Sequence, residues 1–314
     1  MPTYRIAALA FAFAFSVTAP VFSSAEETTA AGSTASAEDQ RAQQRAYIEE
    51  IEKSLHYQSG HVGLPNNKAE LDLPKDYVYL SPEDARKVIE EVWGNPPGSG
   101  DDVLGMILPS AGHLGADSWG AVLTYKADGH VSDKDANDIN YDDLLKELKK
   151  SSEEANASRE KAGYGSMRLV GWAVPPRYDS AVHTLHWAKE FRVSDGPDAL
   201  NYDVRVLGRE GVLSLIVVAS KSQLDSLQGA INDLPKIARF TSGNRYDDFN
   251  KATDRVAEYG IAALVAGGTA VAVLKAGKLA FLLILLKKFG VVLVAGLEFA
   301  WRWIKGIFGG AKAG

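Results

Sequence analysis

Residues 167–219 read MRLVGWAVPPRYDSAVHTLHWAKEFRVSDGPDALNYDVRVLGREGVLSLIVVA, and no other part of the chain is so rich in strand-forming residues. β-Branched and aromatic side chains suit a pleated surface, and they recur in runs at 167–173, 181–193, 202–208 and 212–219. The last two runs are joined by only Arg-Glu-Gly. Because parallel neighbours need a longer crossover, this stretch predicts antiparallel strands.

Weaker signals outside this stretch extend the sheet and add helices. Alternating runs at 60–64 and 69–73 flank a Pro-Asn-Asn turn, which is typical of a β-hairpin. Further elements are predicted from the same kinds of pattern, namely strands at 103–108 and 119–125 and helices at 81–93, 142–161 and 222–233. Together they predict an α+β fold with an antiparallel sheet and flanking helices.

Composition narrows the possible chemistry. The chain has 314 residues, a formal net charge of -6 and no cysteine. A nucleic-acid partner is therefore not expected, and disulfides, thiolate zinc sites and cysteine nucleophiles are excluded. No G-x-S-x-G, H-E-x-x-H or P-loop pattern occurs, and we predict no cofactor.

The N-terminus has the three parts of a secretory signal peptide. Arg5 supplies the positive charge, residues 6–17 form an apolar run, and Ser23-Ser24-Ala25 supplies small residues for cleavage. We therefore predict a signal peptide at 1–25 that is cut after Ala25. Residues 26–59 are predicted to form a mobile leader followed by an amphipathic helix, since the leader has too little apolar surface to bury.

The chain becomes apolar again after residue 260. A helix over 261–286 would be ~39 Å long at about 1.5 Å per residue, more than the roughly 30 Å of bilayer hydrocarbon. This length predicts a transmembrane helix within an anchor region at 246–314. The apolar anchor residues are Ile261, Leu264, Val265, Val271, Leu274, Leu282, Leu283 and Leu286.

The charges that flank this segment predict its orientation. Acidic residues precede residue 261, whereas Lys275 and Lys278 follow the first apolar run. The positive-inside bias puts the C-terminal side in the cytoplasm, so the folded domain at 60–245 is expected in the periplasm, on the bacterial inner membrane. Residues 289–308 are compatible with either a second span or an interfacial helix.

One acidic loop has part of the pattern of a calcium site. Asp133, Asp135 and Asn137 have the 1, 3, 5 spacing of an EF-hand loop, but Asp138 stands where the turn needs glycine and Leu144 where the bidentate glutamate belongs. We therefore predict a turn followed by a helix N-terminus, with a looser metal site as the alternative. We expect chelation to leave the melting temperature unchanged.

Histidine and carboxylate side chains provide weak catalytic candidates. His113 lies in a glycine-containing loop with Asp117, and such a pair is able to act as acid and base. His183 and His186 are predicted on one strand, where a spacing of three puts their side chains on opposite faces. The nearby tryptophans, Trp172 and Trp187, are interpreted as core residues rather than as the lining of a ligand groove.

Several long segments of the chain have a specific pattern. They are Trp93-Gly94-Asn95-Pro96, Asp133-Lys134-Asp135-Ala136, Gly171-Trp172-Ala173, Pro176-Arg177-Tyr178-Asp179, Leu185-His186-Trp187-Ala188-Lys189, Asn201-Tyr202-Asp203-Val204-Arg205-Val206-Leu207-Gly208-Arg209 and Tyr246-Asp247-Asp248-Phe249. In these segments the chain resembles a family of uncharacterised membrane-anchored bacterial proteins that share domain of unknown function 2167. The resemblance implies a signal peptide, an external domain and a C-terminal anchor, and it brings no catalytic residues. One position departs from the family pattern, which favours tyrosine where His130 stands.

These observations favour a non-enzymatic binding or scaffold module of the bacterial envelope. Its expected partners are the lipid bilayer and an envelope protein. The alternative is an envelope hydrolase that uses His113 and Asp117. Ligand and oligomeric state remain open at this point.

Overall fold

A computed structural model describes residues 42–267 of the chain, apart from residues 44, 96, 112–113, 115–117, 162–164 and 195–196. The chain divides into two compact units, residues 1–131 with 140–257 and residues 132–139 with 258–314. The predicted signal peptide at 1–25 and the anchor positions from Val271 onward lie outside the described residues.

The described part of the chain contains thirteen strands: β1 (Tyr57–Gln58), β2 (His61–Gly63), β3 (Ala69–Asp72), β4 (Tyr77–Leu80), β5 (Val103–Pro109), β6 (Gly120–Lys126), β7 (His130–Ser132), β8 (Met167–Asp179), β9 (Thr184–Val193), β10 (Ala199–Leu207), β11 (Val212–Ser220), β12 (Ala238–Phe240) and β13 (Val256–Gly260). The helices are α1 (45–53), α2 (Pro82–Lys87), α3 (Tyr141–Lys161), α4 (Leu224–Ile237) and α5 (Ile261–Ala266). A π-helical turn (Val88–Val92) follows α2, and 3-10 turns occur at Lys221–Gln223 and Tyr246–Asp248.

The first unit is built around an eight-stranded sheet in the order β1-β4-β5-β6-β11-β10-β9-β8, whose neighbouring strands all run antiparallel. A second antiparallel sheet has the order β12-β3-β2, and β13 pairs with β7. The predicted α+β class with an antiparallel sheet and helices is therefore confirmed, as is the hairpin formed by β2 and β3.

The main core lies on one face of the large sheet. Tyr202 of β10 and Leu215 of β11 are buried there with Leu234 of α4 and Leu71 of the smaller sheet. On the other face, a second cluster packs α1 and α2 against the strands from β4 to β6, with Met106 at its centre. Alternation along each strand therefore supplies both faces with apolar side chains.

Strand β8 runs past its predicted end at residue 173 and continues to Asp179. The prediction was wrong because Pro175 and Pro176 read as strand breakers. Among the described strands, β8 lies at the edge of the sheet beside β9, and prolines are tolerated on an edge or at a bulge because no ladder bond is lost there. The pairing shifts register between Val174 and Arg177, so the two prolines fall within an irregularity.

The second unit contains the start of the predicted membrane helix. Ile261, Leu264 and Val265 are buried in α5. Gly267 caps the C-terminus of this helix: its φ is 91°, and its amide N–H donates to the carbonyls of Ala263 and Leu264. The predicted uninterrupted helix over 261–286 was therefore wrong at this point, because the left-handed glycine caps α5. Within residues 42–267, no described helix is long and apolar enough to cross a membrane.

The predicted domain end at residue 245 remains a prediction, but contacts within the first unit favour a later end. Arg209 makes a bidentate ion pair with Asp254, with N–O distances of 2.6 and 2.9 Å, and the side chain of Asp254 is 4% exposed. The ring of Phe249 stacks on His130 with centroids 3.9 Å apart. Residues after 245 therefore contribute to the packing of this unit.

Candidate functional site

A row of charged and aromatic side chains lies on the face of the large sheet opposite the main core. Residues of β9 and β10 alternate between faces, and the register pairs Trp187 with Asp203, Lys189 with Asn201 and Arg205 with Leu185. This places Trp187, Lys189, Asp203 and Arg205 on one face. We call these four residues the charged row.

The anionic member of the charged row is locked to one of the cations. Asp203 Oδ1 accepts a hydrogen bond from Arg205 Nη2 at 2.6 Å, and the two side chains are only 6% and 17% exposed. An ion pair removed from water is weak support for stability, because desolvation of both charges offsets their attraction. A pair in this position therefore suggests a role besides holding the fold together.

Lys189 is the cation of the row that has no anionic partner. Its side chain is partly buried, and Nζ lies 5.8 Å from the centroid of the Trp187 indole ring. Among the described residues, Lys189 makes no hydrogen bond or ion pair. Burial lowers the pKa of the Lys189 ammonium; the charge of Asp203 opposes this shift and that of Arg205 adds to it. The three charges of the row sum to +1, so the row favours an anion.

Two tryptophans flank this lysine. Trp187 is 1% exposed, and Arg205 Cζ lies 5.6 Å from its ring centroid. Its Nε1 is buried and finds no acceptor within the described part of the chain. Trp172 lies opposite Lys189 in the β8–β9 register, and its Nε1 donates to the carbonyl of Tyr141 at 3.4 Å. An indole donor without an acceptor, beside an uncompensated cation, suits an acidic ligand oxygen.

The paired histidine prediction is only partly right. His186 lies on β9, where its Nδ1 is 3.2 Å from the hydroxyl oxygen of Tyr202. That hydroxyl donates to the carbonyl of Ile231 at 3.0 Å, so Nδ1–H of His186 is the donor between them. Burial lowers the pKa of His186, and the charge of Arg177 adds to the shift. His183 is not on the strand, since its φ of 48° places it in the turn before β9.

The predicted calcium-like loop is a turn, as expected, and α3 follows it. The amide N–H of Ala136 donates to the carbonyl of Asp133 at 3.0 Å, and Asp135 Oδ1 accepts from the N–H of Ile261 at 3.4 Å, at the start of α5. Asn137 is exposed. Among the residues that the structure describes, no group of three or more His, Asp and Glu side chains is arranged to hold a metal ion.

The other sequence candidates lie where the structure gives no description. His113 and Asp117 are outside the described residues, so their pairing remains a prediction. The charged row was missed, although its signal was available: Trp187-x-Lys189 and Asp203-x-Arg205 alternate polar with apolar residues along two neighbouring strands. Trp187 was interpreted as a core residue, and its burial agrees with that.

Comparison with known proteins adds a family but no activity. A family model described as "Protein of unknown function (DUF2167)" matches residues 56–298. No curated protein matches the chain. Among solved structures, the solution structure of cyanobacterial PsbP (CyanoP) from Synechocystis sp. PCC 6803 matches with 10% identity and a TM-score of 0.33, covering 60% of this chain and 92% of that chain. A similarity at this level supports no argument about function.

Proposed function

We propose that this chain, which belongs to the DUF2167 family of proteins of unknown function, is a membrane-anchored binding module of the bacterial envelope. In this proposal the charged row holds an acidic group, a carboxylate or a phosphate, of an envelope component. One observation carries the proposal: Lys189 is a partly buried cation without an anionic partner among the described residues.

The physical reason is the cost of a buried charge. An ammonium group loses hydration when it is buried, and a bound anion restores the lost interaction. Asp203 is already held by Arg205 at 2.6 Å, so Lys189 is the cation available to a ligand. Trp172, which is partly buried beside it, adds flat apolar surface, a common feature of ligand sites.

Replacing Lys189 with methionine should weaken phosphate binding about 10-fold or more. The lost charge-assisted hydrogen bond is worth roughly 1.5–3 kcal/mol, and 1.4 kcal/mol corresponds to a factor of ten. The apolar stem of methionine keeps the packing against Trp187. The affinity is measured from the rise in melting temperature with inorganic phosphate, against sodium chloride at the same ionic strength.

Lys221→Met is the matched control for this test. It removes the same charge from a side chain that is 52% exposed and paired with Glu190 at 2.6 Å. The control should keep the phosphate-dependent rise, which also corrects for the general stabilising effect of phosphate. Equal responses from the Lys189 variant and the control would rule out this binding site.

The proposed location rests on the two ends of the sequence. Residues 6–17 are apolar, and residues 261–286 are largely apolar but contain Lys275 and Lys278. The order of the charges is the one expected for an exported domain with a C-terminal anchor. The hydrolase alternative depends on His113 and Asp117, which lie outside the described residues. It therefore stays a prediction.

Anchoring can be tested by truncation. The full chain should stay with the membrane fraction after a carbonate wash, whereas a chain ending at Gly260 should be soluble and should melt cooperatively. An end point at Gly260 is better than one at Tyr246, because a chain ending at Tyr246 would lack Phe249 and Asp254, which contact His130 and Arg209. Retention of the Gly260 chain on washed membranes would contradict an anchor confined to the C-terminus.

A further inference from the structure

His183 lies in the turn between β8 and β9, in a backbone conformation that is uncommon for residues other than glycine. Its φ is 48°, in the left-handed region that favours glycine. Residues held in such conformations concentrate at functional sites, where the surrounding structure fixes them. The contacts of this side chain therefore require an explanation.

A column of stacked rings fixes the plane of the His183 imidazole. His183 stacks on Tyr246 with ring centroids 4.1 Å apart and an interplanar angle of 23°. The hydroxyl of Tyr246 donates to the carbonyl of Val131 at 3.1 Å. On the other side, the His130 ring lies against Tyr246 with centroids 4.2 Å apart, and Phe249 stacks on His130. Through Tyr246, the His183 ring is thus connected to residues of two other chain segments, 130–131 and 246–249.

Both ring nitrogens of His183 face polar atoms. Nδ1 lies 3.1 Å from the hydroxyl oxygen of Tyr178, and Nε2 lies 3.4 Å from Asp247 Oδ1. An ionised carboxylate only accepts hydrogen bonds, so Asp247 favours the tautomer with hydrogen on Nε2. Nδ1 is then an acceptor, and the Tyr178 hydroxyl donates to it. The order hydroxyl, imidazole, carboxylate matches the logic of activated nucleophiles, in which a third group orients the base.

We propose that Tyr178, His183 and Asp247 form a second, catalytic site that transfers acyl groups from carboxylic esters to water. The Tyr178 oxygen attacks the ester carbonyl carbon while its proton moves to His183 Nδ1. Collapse of the tetrahedral intermediate breaks the bond to the alcohol oxygen, which takes that proton. His183 then deprotonates a water molecule, which attacks the carbonyl carbon of the acyl-tyrosine. The bond from that carbon to the Tyr178 oxygen breaks, the carboxylic acid leaves, and the proton on His183 returns to the Tyr178 oxygen.

Exposure at this site is compatible with such a reaction. The side chain of Asp247 is 86% exposed and that of His183 is 19% exposed, while Tyr178 is partly buried. Water therefore reaches Asp247 directly, and the partly exposed Tyr178 side chain is the part of the triad that an ester has to contact. The inference is independent of anion binding at Lys189, because the two sites share no residue.

The test uses the full chain and p-nitrophenyl acetate as the probe ester. Tyr178→Phe removes only the nucleophilic oxygen and should lower the rate of p-nitrophenol release by about 100-fold or more, because the acyl-tyrosine can no longer form. His183→Gln should do the same, and Asp247→Asn should give a smaller loss. Mass spectrometry of the quenched reaction should find the acetyl group on Tyr178.

Tyr47→Phe is the control variant. Tyr47 is 50% exposed, and its hydroxyl lies 3.4 Å from Glu91 Oε2; the control should keep the wild-type rate. Thermal melts of every variant separate loss of chemistry from loss of folding, and the exposed Asp247 position gives a variant with little effect on folding. The proposal is overturned if folded Tyr178→Phe hydrolyses the ester at the wild-type rate, or if acetyl accumulates only on lysines.

Discussion

Asp203→Ala is expected to lower the free energy of unfolding by about 3–5 kcal/mol, the usual cost of removing one partner from a buried ion pair. The loss arises because Arg205, whose side chain is 17% exposed, keeps its charge but no longer has the carboxylate. Lys189 loses the nearby negative charge as well. Chemical denaturation followed by tryptophan fluorescence or circular dichroism measures the change.

A double variant distinguishes the missing charge from the missing volume. Asp203→Leu combined with Arg205→Met replaces both charges with apolar side chains, and such replacements of buried pairs are often neutral or stabilising. We expect this variant to recover most of the lost stability. If it is as unstable as Asp203→Ala, the effect comes from packing rather than from the uncompensated charge.

Trp187→Ala is expected to cost a similar amount, about 3–5 kcal/mol, for a different reason. The side chain is 1% exposed, and its removal leaves a large cavity in addition to the lost transfer free energy. Lys189 and Arg205 also lose the aromatic face that lies 5.8 and 5.6 Å from them. The same denaturation experiment applies.

Two comparison variants sharpen this prediction. Trp187→Phe keeps an aromatic ring and should recover part of the stability, whereas Val182→Ala, at a position 52% exposed, should change it by less than about 0.5 kcal/mol. A loss below about 1 kcal/mol for Trp187→Ala would contradict the buried position on which the charged row depends.

Local sequence patterns were sufficient to predict the long strands, because the alternation of apolar and polar residues and the choice of turn residues act over a few positions. β9, β10 and β11 follow from runs that the sequence makes visible. The short strands do not, since β12 has three residues and exists through its pairing with Ala69 and Leu71, far away in the chain. Propensity over three residues carries too little information to predict such a pairing.

To predict the candidate sites, the register between neighbouring strands has to be known as well as the positions of the strands. Trp187 and Asp203 are neighbours only because β9 and β10 pair with that particular offset. His183 was assigned to a strand on composition, and its left-handed backbone ends the strand pattern instead. Its contact with Tyr178 is local to the β8–β9 turn, whereas its contact with Asp247 comes from tertiary packing of the 246–248 turn, which no local pattern contains.

The irregular edge strand β8 also affects how copies of this chain meet one another. Pro175 and Pro176 carry no amide donor and lie where the β8–β9 pairing is irregular, and at the opposite edge β1 has only two residues. An incoming strand from a second molecule therefore finds no long, regular ladder to extend on either side of the large sheet. This arrangement disfavours the edge-to-edge growth that leads to fibrous aggregates.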